Sequence, residues 1–160
     1  MSYKNSFIFL VTNKEGESSV MFVRRTDKQD YNVPGGKRDH YESLELTTME
    51  REFKEETNQE VPNIEKLNKY YYEPYESYVY YGFSNQDMKE GKVKTLNNEI
   101  DKVYRLKLKY LFYNLNGKIT LNDKIKINNK PLRDSFINVT KDMLKDNDFR
   151  LFIKEMLYRI

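Results

Sequence analysis

Glu52, Glu55 and Glu56 crowd into five consecutive positions around Phe53 and Lys54. Leu46, Met49 and Phe53 recur at i, i+3 and i+7, the spacing of one buried helical face, so a helix running to about Thr57 is predicted here. On that helix the three glutamates fall at i, i+3 and i+4, on one adjoining face. Carboxylates so placed repel each other unless a positive charge stands among them. A divalent metal is the usual answer, and a metal held by hard oxygens commonly grips phosphate oxygens as well.

The residues before the helix constrain it further. Pro34 keeps Tyr31-Asn32-Val33 extended, and Gly35-Gly36 lets the backbone turn and approach another group closely. Ser43 or a neighbour is the expected cap, and Asn58 suits the left-handed residue that ends a helix. Strands are predicted over 6–11, 19–24, 77–83 and 102–106, with a turn at 13–17 and a polar loop over 26–30. Residues 107–113 read as a short helix or turn with Leu108, Leu111 and Phe112 inward, and 118–127 as strand-like. Thr140 is the expected cap of a further helical stretch, and Asn147 or Asp148 that of the last helix. The apolar stripe of that last helix is Phe149, Phe152, Met156, Leu157 and Ile160. Strands and helices mixed in this way give an α/β (α+β) class, a sheet with helices on its faces, in a single domain over residues 1–160.

Composition narrows the function. The chain has no Cys, which excludes a disulfide scaffold, a thiolate metal site and a cysteine nucleophile, and fits a cytoplasmic protein. The apolar run from Phe7 to Val11 is too short for a membrane span. Net charge is +3 but uneven: residues 41–60 carry seven Glu against Arg51 and Lys54, and residues 101–160 carry 14 Lys and Arg against seven Asp and Glu. An acidic centre beside a basic second half suits a metal site that receives a polyanion. Of the tyrosine cluster over 70–81, strand alternation sends half to the core and leaves one or two for a substrate pocket.

Gly36-x5-Glu42 followed by Arg51-Glu52-Phe53-x-Glu55-Glu56 resembles the box of the Nudix hydrolases, the family of MutT. The approach is also similar: Arg24 and Arg25 at a strand end, Tyr31 where tryptophan is common, then Val33-Pro34-Gly35-Gly36. Residues 98–106 look like the segment after the family's binding loop, so the likeness spans roughly residues 6–112. Three departures stand out. One extra residue lies between Glu42 and Arg51, so that Ser43 holds the register counted back from Arg51. Asn58 replaces the box glycine, and Gln59 its final aliphatic residue.

The resemblance implies a Nudix-like mixed sheet sandwiched between helices, and Mg²⁺ or Mn²⁺ held by Glu52, Glu55, Glu56 and a backbone carbonyl of Gly36 (or Gly35). Glu52 is the implied base, Glu99 the candidate base on a later loop, and Arg51 the residue that orients a helical glutamate. Arg24, Arg25, Lys37 and His40 are the candidate substrate-binding side chains.

The implied reaction is metal-dependent hydrolysis of a diphosphate linkage in a nucleoside diphosphate linked to another moiety, by water attack on phosphorus. Cap hydrolysis on mRNA and inositol pyrophosphate hydrolysis are alternatives, since capped RNA would use a basic track beyond the site. A reading of another class is a nucleotide- or RNA-binding module without turnover. A small diphosphate compound is the expected partner, with no membrane contact, and the oligomeric state is open.

Overall fold

A computed structural model describes residues 2–159. Its centre is an eight-stranded sheet. The strands are β1 (Asn5–Lys14), β2 (Glu17–Arg25), β3 (Tyr31–Asn32), β4 (Gly35–Lys37), β5 (Glu65–Tyr72), β6 (Ser77–Ser84), β7 (Gly91–Lys92) and β8 (Ile100–Lys107). The order is β5-β6-β1-β2-β8-β7, with β3 paired to β2 and β4 to β1. β1 and β6 run parallel, from Asn5 opposite Ser77 to Thr12 opposite Ser84, while β1 and β2 form an antiparallel hairpin. The sheet is therefore mixed.

β1 is apolar on both sides because both faces of the sheet are covered. Ile8 and Leu10 point to one face with Met21, Val23, Tyr80 and Val103, where Met49 and Phe53 of helix α1 (Glu45–Thr57) close over them. Phe9 and Val11 point to the other face with Phe22, Val79 and Tyr81. Three helices cover that side: α2 (Leu108–Leu111), α3 (Asp134–Met143) and α4 (Asn147–Leu157). Phe9 meets the Phe149 ring edge-on at 5.5 Å, and Phe22 meets Phe136 at 5.1 Å. Full burial of each such side chain contributes roughly 1.5–3 kcal/mol. Between α2 and α3 lie two short hairpins, β9 (Phe112–Leu115) with β10 (Lys118–Leu121) and β11 (Lys126–Ile127) with β12 (Lys130–Pro131). The strand-like reading of 118–127 thus resolves into two pieces. Among the described residues no helix is long and apolar enough to cross a membrane.

Several local expectations change. Leu44, not Ser43, precedes α1, and it makes no side-chain cap. The segment before the helix is instead organised by Glu42, which accepts from the Asp39 amide at 2.8 Å and the Thr48 hydroxyl at 2.9 Å. Thr48 also shares a 2.7 Å hydrogen bond with the Tyr3 hydroxyl, so a threonine fills the first turn and Leu46 is left exposed. Asn58 ends α1 as expected, at φ 57° with its amide donating to the Lys54 carbonyl. Thr140 is buried in the last turn of α3, which begins at Asp134. Asp146 caps α4 by accepting from the Phe149 amide at 3.1 Å, which makes Asn147 and Asp148 the first helical residues. Ile153 is fully buried in the stripe of α4, while Phe152 and Leu157 are only half-buried. Ile160 lies outside the described residues.

Candidate active site

The site forms where α1 meets the Gly35-Gly36 turn. Gly35 pairs with Phe7 across β4 and β1, and a Cβ at Gly35 would lie 2.4 Å from the Phe7 Cα and the Ser6 carbonyl oxygen. Only glycine permits that approach. The freed backbone then meets the helix. The Gly35 amide donates to Glu56 Oε1 at 2.8 Å, and the Glu52 carboxylate rests against Gly36, 2.6 Å from where a Cβ would be.

Arg51 stands among the acids. Its Nε donates to Glu42 Oε2 at 2.9 Å and its Nη1 to Glu52 Oε1 at 2.8 Å. Nη1 also lies 3.2 and 3.1 Å from the two Glu55 oxygens, and Nη2 donates to the Lys37 carbonyl at 2.9 Å. The cation supplied by the chain itself is therefore an arginine, and it reaches Glu42, Glu52 and Glu55. Glu56 is left to the Gly35 amide.

This division sets the electrostatics. The Arg51 guanidinium holds the buried Glu42 carboxyl down at about 2 against the penalty of burial, and the Asp39 and Thr48 hydrogen bonds help. Arg51 is itself held more firmly protonated, chiefly by Glu42. Burial raises Glu52 above the usual carboxylate range although Arg51 opposes it. Burial raises Glu56 much further, and the charges of Glu52 and Glu99 push the same way. Two carboxylates one helical turn apart thus both resist ionisation.

Glu52, Glu55, Glu56 and Glu99 line one cavity of about 150 Å³, together with Thr95, Leu96 and Ile100. Glu99 comes from the loop before β8, and its carbonyl accepts from the Thr26 amide at 2.8 Å. Among the described residues no three side chains of His, Cys, Asp or Glu already surround one point at which an ion would bind. The donors present are nonetheless hard oxygens, and Glu52 and Glu56 are the pair that an added positive charge would relieve.

The four candidate substrate-binding side chains lie outside the lining of the acid-walled cavity. Arg24 donates to Asp101 at 2.7 Å, and Arg25 grips Asp30 through two hydrogen bonds of 2.9 and 2.8 Å. Lys37 is exposed and contributes its carbonyl to Arg51. His40 is exposed, with its ring edge-on to Tyr41 at 5.6 Å.

A second and larger cavity, about 460 Å³, opens on the opposite face of the sheet between β1, β6 and α3. Phe7, Val33, Tyr75, Phe136 and Met143 give it apolar walls, with Asn32 and Arg133 among its polar groups. Arg133 belongs to no recognisable motif, and Asn32, within the extended Tyr31-Asn32-Val33 piece, carries no signal of a role in its type or spacing. Tyr75 is the member of the tyrosine cluster that lines this cavity, whereas Tyr80 and Tyr81 are buried in the two cores.

The chain thus sets a mixed sheet between helices, with one helix presenting its acids to a glycine turn. The NUDIX domain model matches residues 2–122, and the chain belongs to the Nudix family as a phosphoanhydride hydrolase. Solved structures agree on the fold. The NUDIX domain of Shewanella oneidensis NrtR, complexed with ADP ribose, is similar over 91% of this chain and 88% of its own, at 15% identity and a TM-score of 0.56. The MutT protein of Methanosarcina mazei Go1 is similar over 91% and 95%, at 17% identity and a TM-score of 0.53. A MutT from work on Aliivibrio salmonicida and Vibrio cholerae is similar over 89% and 96%, at 14% identity and a TM-score of 0.55. No curated protein matched the chain.

Proposed function

We propose that this chain hydrolyses the diphosphate linkage of a nucleoside diphosphate joined to another moiety, with Mg²⁺ or Mn²⁺ at the acid cluster. The observation that carries the reading is the placement of two cavities about one segment. Residues 31–37 border the apolar cavity through Asn32 and Val33 and the acid cluster through Gly35 and Gly36. A flat organic group in the first leaves its phosphates near the second. The ADP ribose held by the NrtR domain is a compound of this kind.

Glu52, Glu56 and Glu55, with the Gly36 carbonyl, are the proposed ligands of the ion. When bound, it supplies charge neutralisation at the diphosphate and a more acidic water. Glu52 is the proposed proton acceptor, because burial already raises its proton affinity and its oxygens lie beside the turn. Glu99 offers a second carboxylate from the far wall of the same cavity. Arg51 fixes the orientation of Glu52 and Glu55 by charge-assisted hydrogen bonds.

Capped RNA and inositol pyrophosphates are less well served. Lys107 and Lys109 pair with Glu17, and Lys141 pairs with Asp123, so these cations of the basic second half are already engaged. No Lys or Arg is among the described residues that line the acid-walled cavity.

The test is a hydrolysis screen over nucleoside triphosphates, dinucleoside polyphosphates, nucleotide sugars, capped RNA and inositol pyrophosphates with Mg²⁺ or Mn²⁺. Metal-dependent cleavage of a nucleotide-linked diphosphate is expected, and Glu56→Gln should lower it by orders of magnitude in a folded protein. Should no member of the panel release product with either ion, a binding module without turnover replaces this reading.

A further inference from the structure

We propose that Arg133 is a substrate-binding residue, which takes a phosphate of the bound compound at the boundary between the apolar cavity and the acid cluster. The proposal rests on the two-cavity reading above and adds to it the cation that reading lacks. Arg133 lies beyond residues 2–122, the part of the chain that matches the family model.

The backbone fixes its position. The Arg133 amide donates to the Tyr31 carbonyl at 2.8 Å, and the next residue inward, Leu132, bridges to Tyr31. Arg133 is thereby tied to the start of the same segment that ends at Gly35 and Gly36. Its side chain lines the apolar cavity, and its charge also acts on Glu56 across the turn. It is thus adjacent to both places that a nucleotide-linked diphosphate must reach.

Its hydrogen bonding is unfinished. A guanidinium carries five N–H donors. Among the described residues the Arg133 Nε is buried with no hydrogen-bond partner. The nearest acid is Asp30, at 3.6 Å from Nε, too long for a hydrogen bond. Asp30 is already taken: Arg25 forks onto both of its oxygens at 2.9 and 2.8 Å. One carboxylate therefore serves two arginines: it is forked by Arg25 and is only in ion-pair contact with Arg133. Burial and the neighbouring Arg25 disfavour its charge, and Asp30 and Glu56 only partly offset them. Phosphate oxygens match the planar fork of a guanidinium and satisfy two donors at once.

The alternative is a purely structural arginine that holds α3 against β3. Binding measurements separate the two, and they need no turnover. The four common ribonucleosides and their 5′-diphosphates are titrated into the wild-type chain in EDTA. At least one diphosphate is expected to bind about tenfold or more tighter than its own nucleoside, the size of a charge-assisted fork. Arg133→Met should bring that diphosphate down to the affinity that its own nucleoside shows in the same variant. Arg133→Lys should keep only part of the excess, since an ammonium is a point charge without a fork. Should the Met variant fail to fold, the Lys variant decides: an undiminished excess there overturns the proposal. So does an excess that survives in Arg133→Met, or a wild type that binds no diphosphate more tightly than its nucleoside. A chain that shows the Arg133-dependent excess yet cleaves nothing with Mg²⁺ or Mn²⁺ would defeat the proposed hydrolysis alone and leave this assignment standing.

Discussion

Glu42 and Arg51 are locked together by two hydrogen bonds, Nε to Oε2 at 2.9 Å and Nη2 to Oε1 at 3.1 Å, with the carboxylate all but sealed from solvent. The pair ties the loop before α1 to the middle of the helix. Because it holds the folded carboxyl at about 2 against an ordinary 4.5, it contributes stability in full above the unfolded value. That contribution is lost as pH falls from about 4.5 towards 2. It amounts to about 3 kcal/mol at neutral pH by the size of the shift. Urea denaturation of Glu42→Gln should show a stability deficit of that order at pH 7, shrinking as the pH is lowered through this window. An undiminished deficit at pH 2.5 would refute the linkage.

The two turn glycines should fail in different ways. At Gly35 a Cβ meets backbone atoms 2.4 Å away, and the residue sits at φ +147°. Gly35→Ala should therefore cost about 2–4 kcal/mol of stability. At Gly36 the nearest atom is the far end of Glu52, which can swing aside. Gly36→Ala should melt near the wild-type temperature yet lose most turnover, because the carboxylate it displaces is the proposed proton acceptor. Thermal melts and initial rates on the two variants check the contrast. Equal destabilisation by both would contradict it.

The features legible in the sequence were those carried by neighbours in the chain. A dense apolar run marks β1 and period-2 alternation marks β2, and the i, i+3, i+4 spacing puts Glu52, Glu55 and Glu56 near one another with Arg51 beside them. Asn58 announced the end of α1 by its tolerance of positive φ. What spacing leaves out is the distant partner. The start of α3 depends on a hydrogen bond from Arg133 to Tyr31, about a hundred residues earlier, so Thr140 was the more visible signal and the wrong one. Arg24 and Arg25 stand out as candidate phosphate contacts at a strand end, but nothing in their spacing points to Asp101 and Asp30, with which they pair. The extra residue between Glu42 and Arg51 blurred the register, and only folding shows that Glu42 is the acid turned inward while Ser43 is exposed.

Metal should reverse the cost of the acid pair. Burial raises the proton affinity of Glu56 and Glu52, so ionising them opposes folding. In EDTA the wild-type chain should lose stability as pH rises above the ordinary carboxylate range, until the raised folded values are passed. Glu56→Gln should escape part of that loss and melt at or above the wild type at pH 8. Added Mg²⁺ at a hundred times its dissociation constant should stabilise the wild type by about 2.7 kcal/mol. The Gln variant should gain far less. Melting curves with EDTA and with MgCl₂ decide it, and an equal gain in both proteins would remove Glu56 from the metal site.

Arg105 poses the opposite case to Arg133, a buried guanidinium with its donors engaged. Nη1 donates to Asp87 at 3.0 Å and the Met88 carbonyl at 2.9 Å. Nη2 donates to the Thr12 hydroxyl at 2.8 Å and the Asn13 carbonyl at 2.6 Å, and Nε reaches Thr12 at 3.2 Å. It pins the loop that carries Met88 into the α1-side core. Most of these partners are buried acceptors, so removing the arginine strands them, at about 1–3 kcal/mol for each one left unsatisfied. Asp87 is different, since its side chain is 91% exposed. An ion pair to so exposed a carboxylate contributes at most about 1 kcal/mol. Arg105→Met should therefore destabilise the fold by about 3 kcal/mol or more, and Asp87→Asn by less than about 1 kcal/mol. Both should keep wild-type turnover per folded molecule, because neither residue lines the acid-walled cavity. Equilibrium unfolding in urea orders the two variants. A large loss in Asp87→Asn would mean that the ion pair, and not the buried acceptors, holds the loop.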